Sequence, residues 1–214
     1  LTDINLQLVR EFFELNRFRV LTNWNRDSDR GGRSDHGAQL FVENAGPAAE
    51  GDLDILLHPS GLSRVRRAVV EVRAWHSERF YASTVDSNPV VSDFAEPPSL
   101  VAAQAFFGTH EFARILVVSE FPATDHQRAA ALDAVANTRI DHVLEFPSIL
   151  RDLVGRVSTQ GGYPGSPTLQ LIQTMKRYRL FRDQQMEFDF PLEAPVQSDG
   201  GAVLGPEEPR QTNT

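Results

Sequence analysis

Cysteine is missing from the 214 residues, so neither a disulfide framework nor a thiolate metal site is possible. Lysine is nearly missing as well: Lys176 is the single Lys among the 21 basic residues, and all the others are Arg. No apolar run approaches the length of a membrane span. The first residues lack the basic-then-apolar order of a secretory signal. Together these absences lead to the expectation of a cytoplasmic protein with no membrane partner. Also missing are a Gly-rich phosphate fingerprint after a strand, a nucleophile elbow around Ser, and a His cluster. Gly161-Gly162-Tyr163-Pro164-Gly165 is a break in the chain and not a phosphate loop, because no strand feeds it and no Gly-Lys-Ser/Thr follows.

What is present supports a folded α/β domain. Hydrophobic residues make up 41% of the chain, enough for a sizeable core in one domain with extensions. The net charge of −8 is unevenly placed. Residues 187–214 set Glu187, Asp189, Glu193, Asp199, Glu207 and Glu208 against Arg210, so most of the excess lies there. Local basic clusters elsewhere therefore remain candidates for phosphate contacts. Residues 25–37 form one, a polar loop with Arg26, Arg30 and Arg33. Lys176, Arg177 and Arg179, with Arg182, form another on an amphipathic helix expected over 169–182. For both clusters the simpler reading is solvated surface.

In chain order, apolar spacing predicts a helix over residues 3–16 and a strand over 18–24. Gln39 to Glu43 is a candidate for a further strand. Residues 51–76 read as a hairpin: Leu53 to Leu57, a turn at Pro59-Ser60-Gly61, then Ala68 to Trp75. Residues 77–98 are mixed and turn-rich. A helix over 99–112 follows, then a buried strand over 114–119, a helix over 125–136, a short strand over 142–146 and a helix over 147–157. The core is expected over 1–157, a Gly/Pro linker over 158–167, a basic helix and aromatic segment over 168–190, and a disordered acidic tail over 191–214.

The hairpin carries the chemistry. Period-2 alternation puts Asp52 and Asp54 on one face of the first strand, and Glu71 with Arg73 on one face of the second. Carboxylates within apolar strands are normally paired, solvated or metal-bound. Asp54 and Glu71 on adjacent strands would suit one divalent ion that keeps several waters. The plain alternative is an ion pair at a strand end and a solvated Glu.

Asp54 followed by Glu71-Val72-Arg73 resembles the motif of the PD-(D/E)xK nuclease superfamily, the restriction-endonuclease-like fold, with Arg in place of the usual Lys. The element order over residues 3–155 is similar to the Mrr-type branch. The resemblance implies a mixed central sheet flanked by helices and a metal-dependent DNA endonuclease. Mg²⁺ (or Mn²⁺) would be held by Asp54, Glu71 and the Val72 carbonyl, with Asp54 preferred over Asp52 because it leads directly into Ile55-Leu56-Leu57. Arg73 would stabilise charge, since a guanidinium does not serve as a base. Gln104, on the helix after the motif strand, would orient a water or bind a base edge. The branch often has Glu on the first helix where Gln7 stands; Glu11 or Glu14 would be the substitute. A degenerate member that binds nucleic acid or protein without cutting fits the same departures. An unrelated α/β ligand-binding protein is the third possibility. Finally, Gln185 to Phe190 resembles the short peptide by which bacterial DNA-processing proteins dock on the sliding clamp, with Phe188 in place of Leu.

Overall fold

The computed structural model describes residues 4–23, 39–47, 49–73, 76–96 and 100–181. Its centre is a five-stranded mixed sheet in the order β1-β2-β3-β4-β5. Strands β1 (Phe18–Asn23), β2 (Gln39–Asn44) and β3 (Arg67–Arg73) pair antiparallel. Strands β4 (Ala113–Val118) and β5 (His142–Glu145) continue the sheet parallel to β3. The protein is thus α/β, as its sequence implies.

Two apolar layers sandwich the sheet. On one face, Leu40 and Val42 of β2, Ala68, Val70 and Val72 of β3, and Ile115 and Val117 of β4 form a core with helix α1 (Ile4–Leu15) and helix α6 (Phe146–Arg156). On the other, Phe41, Val69, Leu116, Val118 and Val143 pack beneath α2 (Ala82–Ser87), α3 (Pro89–Ala95), α4 (Val101–Phe107) and α5 (Asp125–Ala136). Coverage of both faces explains why β3 and β4 read as continuous apolar runs and not as alternating ones. In α1, the spacing of Leu6, Val9, Phe12 and Phe13 makes one buried stripe.

Local chemistry sets several boundaries. The Asn88 side chain accepts from Val90 N, and Pro89 opens α3. Gly108, at φ 65, ends α4 in a backbone region that other residues rarely adopt. That stop makes α4 shorter than the helix expected over 99–112. The stretch read as mixed and turn-rich contains both α2 and α3. These are short helices, too brief to show a clear period in sequence.

The hairpin expected over 51–76 is corrected. Ile55 to Leu57 does not pair with β3. Leu56 bridges Val143 of β5, with Leu57 N bonded to Val143 O at 2.8 Å and Val143 N to Ile55 O at 2.7 Å. The expected turn is a 3₁₀ helix, Pro59–Arg64. The place beside β3 belongs to β2, the candidate strand at Gln39. The physical reason is apolar bookkeeping on both faces: β2 supplies Leu40 and Val42 to one core and Phe41 to the other. The Ile55 to Leu57 run instead covers the outer edge of the four-residue β5.

The last helix, α7 (Pro167–Arg177), is not set apart from the core. Leu169 and Ile172 join the apolar layer of α1 and α6. The segments at 24–38 and 182–214 lie outside the described residues, and with them Arg26, Arg30, Arg33, the acidic tail and the Gln185 to Phe190 peptide.

Candidate functional site at the carboxyl end of the central strand

β3 is the middle strand, so its side chains are buried from Ala68 to Arg73. Alternation sends Ala68, Val70 and Val72 to the α1 face, and Val69, Glu71 and Arg73 to the other. Glu71 has no exposure and Arg73 is 7% exposed. Their pairing follows from spacing: residues two apart on a strand stand side by side. Arg73 Nε donates to Glu71 Oε1 at 3.0 Å. Two charges taken out of water need such a contact, because an isolated buried ion is costly.

The remaining motif residue is elsewhere. Glu71 is in register with Leu116 of β4, Leu116 with Val143 of β5, and Val143 with Leu56. That makes three strand spacings, roughly 14 Å, between Glu71 and the Leu56 segment. Asp54 lies two residues further along, exposed, with its backbone carbonyl held by His142 Nδ1 at 2.9 Å. Divalent ions need ligand oxygens within about 2.6 Å. Asp54 and Glu71 therefore do not converge on one ion. Glu71 is already engaged by Arg73, and the described residues hold no group of three or more His, Asp or Glu suited to a metal. Among the described residues, the donors do not fit Mg²⁺ or Mn²⁺.

Gln104 is exposed on the outer side of α4, whose core-facing residues are Ala103 and Phe107. Glu11 is buried on α1, where it accepts from Gln7 Nε2 at 2.7 Å and from Ser166 and Thr168 of the α7 start. Glu14 pairs with Arg10 on the helix surface. Neither acid is brought to Glu71.

The basic helix has a structural use. Lys176 Nζ donates to Val154 O at 2.6 Å and to Val157 O at 2.8 Å, closing the carbonyl end of α6. Arg177 donates to Thr159 O at 2.9 Å. Arg179 follows the helix at φ 56 and is exposed. Lys176→Ala is expected to lower stability by about 1 kcal/mol, through loss of these contacts to the helix end. Urea denaturation would show it as a lower midpoint at unchanged slope.

A second feature lies at the carboxyl ends of β3, β4 and β5, the usual ligand side of parallel strands. There a cavity of about 380 Å³ is lined by His76, Arg79, Ser119, Glu120, Phe146 and Leu150, among others. His76 and Arg79 follow β3 closely in sequence and line this cavity. The loop after β3 is tied to the one after β4: Ser119 Oγ donates to Glu78 O at 2.7 Å, and Phe80 N to Glu120 O at 2.8 Å. The His76 ring sits edge-on to Phe146 at 4.8 Å, and its Nε2 is 2.9 Å from Asn5 Oδ1.

Sequence reading missed Glu145 beside this cavity. It is 8% exposed, accepts from Phe121 N at 3.0 Å, and pairs with Arg128 at 2.9 Å. Arg128 also lies over the Phe121 ring. The signal was visible: Glu145 interrupts an apolar run just before Pro147 opens a helix. No protein-family model, curated protein or solved structure matches the chain.

Proposed function

We propose that this protein binds nucleic acid on a restriction-endonuclease-like framework without cutting it, with Glu71 and Arg73 acting as an internal ion pair. The observation that sets binding without cutting above cutting is the geometry of the motif. Glu71 is fully buried against Arg73, while Asp54 is exposed beyond the far edge of the sheet. The framework itself is supported by the strand order, three antiparallel strands followed by two parallel ones, with Glu71-Val72-Arg73 on the strand where the pairing changes sense. The described donors do not assemble around a metal ion.

The test is fluorescence anisotropy with labelled single- and double-stranded DNA over a range of salt. Binding is expected to weaken linearly in log–log form as salt rises, the signature of phosphate contacts. Flat anisotropy with every DNA form at low salt would overturn the reading. Asp54→Ala is expected to leave both affinity and stability nearly unchanged, within about 0.5 kcal/mol, as for other exposed surface positions.

A second reading, a metal-dependent DNA endonuclease in which Arg73 stabilises charge on the phosphate, shares this strand order but needs ligands beyond those that the described residues bring together. This reading predicts metal-dependent cleavage that disappears in a folded Glu71→Gln variant.

A further inference from the structure

We infer that α7 is a strap that opens as one unit from the body of the protein, with the Glu11 carboxylate as its latch. Glu11 is 2% exposed. It accepts from Gln7 Nε2 within its own helix and from Ser166 Oγ and Thr168 Oγ1 at the start of α7. All three donors are neutral. The buried charge is therefore stabilised by hydrogen bonds and by the nearby amino end of α7, whose cap Ser166 accepts from Leu169 N. Two of the three donors leave if α7 leaves.

The other end is fastened by Lys176 on the Val154 and Val157 carbonyls. Between the two fastenings the helix buries only Leu169 and Ile172, while Leu171 faces outward at 59% exposure. The remaining side-chain contacts run to the connector that precedes the strap. Gln170 donates to Tyr163 O, Gln173 to Ser158 O, and Arg177 to Thr159 O. Those contacts end on the connector and not on the sheet, α1 or α6. A segment joined to its neighbours by two polar clasps and two apolar side chains belongs to the low-stability end of a fold. The sheet, by contrast, is buried on both faces. Opening bares the apolar seam between α1 and α6 that Leu169 and Ile172 close.

Hydrogen exchange on the full chain tests this. In the wild type, the amides of residues 170–176 are expected to exchange together and faster than those of β3 and β4. Glu11→Gln and, separately, Thr168→Val are expected to speed exchange in α7 by on the order of 10- to 100-fold, with α7 remaining faster than β3 and β4. The second variant leaves the carboxylate in place, so its result stands if Glu11→Gln perturbs α1. Exchange of α7 at the rate of the sheet in the wild type would overturn the proposal. So would unchanged α7 exchange in both variants.

Discussion

Glu71→Ala is expected to destabilise the protein by about 3–5 kcal/mol, the range seen when one partner of a buried ion pair is removed. The Arg73 guanidinium, with a side chain 6% exposed, would lose the carboxylate at 3.0 Å that offsets its desolvation. Set against a typical stability of about 5–15 kcal/mol, this is a large fraction. Urea denaturation followed by circular dichroism would measure it. The double variant Glu71→Leu, Arg73→Met should recover most of the loss, since a well-packed apolar pair often replaces a buried ion pair at little cost. A single variant that loses less than about 1 kcal/mol would contradict the prediction, since Arg73 would then not be left as an uncompensated buried charge.

Phe12→Ala is the second substitution with a large expected effect, again about 3–5 kcal/mol. Phe12 has no exposure and meets Phe13 edge-on at 5.3 Å, and Phe13 meets Phe18 of β1 at 5.3 Å in the same manner. The chain of rings ties α1 to the first strand. Removing its first member leaves a cavity whose walls belong to a helix and a sheet, which cannot both collapse inward. Thermal unfolding should show a fall in Tm on the order of 10 °C or more, given about 4–8 °C per kcal/mol for domains of 60–100 residues and somewhat less for larger ones. Phe106→Ala, at a ring 47% exposed on α4, should cost much less.

Much of the fold was legible because its strongest signals are local. The apolar stripe of α1, the buried run of β4 and the helices α5 and α6 each follow from residues close together in sequence. Helix α5 matches its expected range of 125–136 fully. The site was less legible because it depends on which strands are neighbours. Leu53 to Leu57 has the composition of a strand and a turn after it, so the sequence favours pairing with β3. Only the three-dimensional competition shows that β2 fills that place and that Leu56 pairs with Val143. One such exchange moves Asp54 across two further strands. The same limit hid the Glu11 latch, whose partners Ser166 and Thr168 lie more than 150 residues away. Likewise Lys176 reads as a free cation by composition, yet it closes the end of α6.

The most direct test of the ion-pair account is incubation of supercoiled plasmid with the full chain in Mg²⁺ and, separately, in Mn²⁺. The account predicts that the plasmid remains supercoiled in both. Metal-dependent nicking by the wild type, abolished in a Glu71→Gln variant that retains the native circular dichroism spectrum, would contradict it.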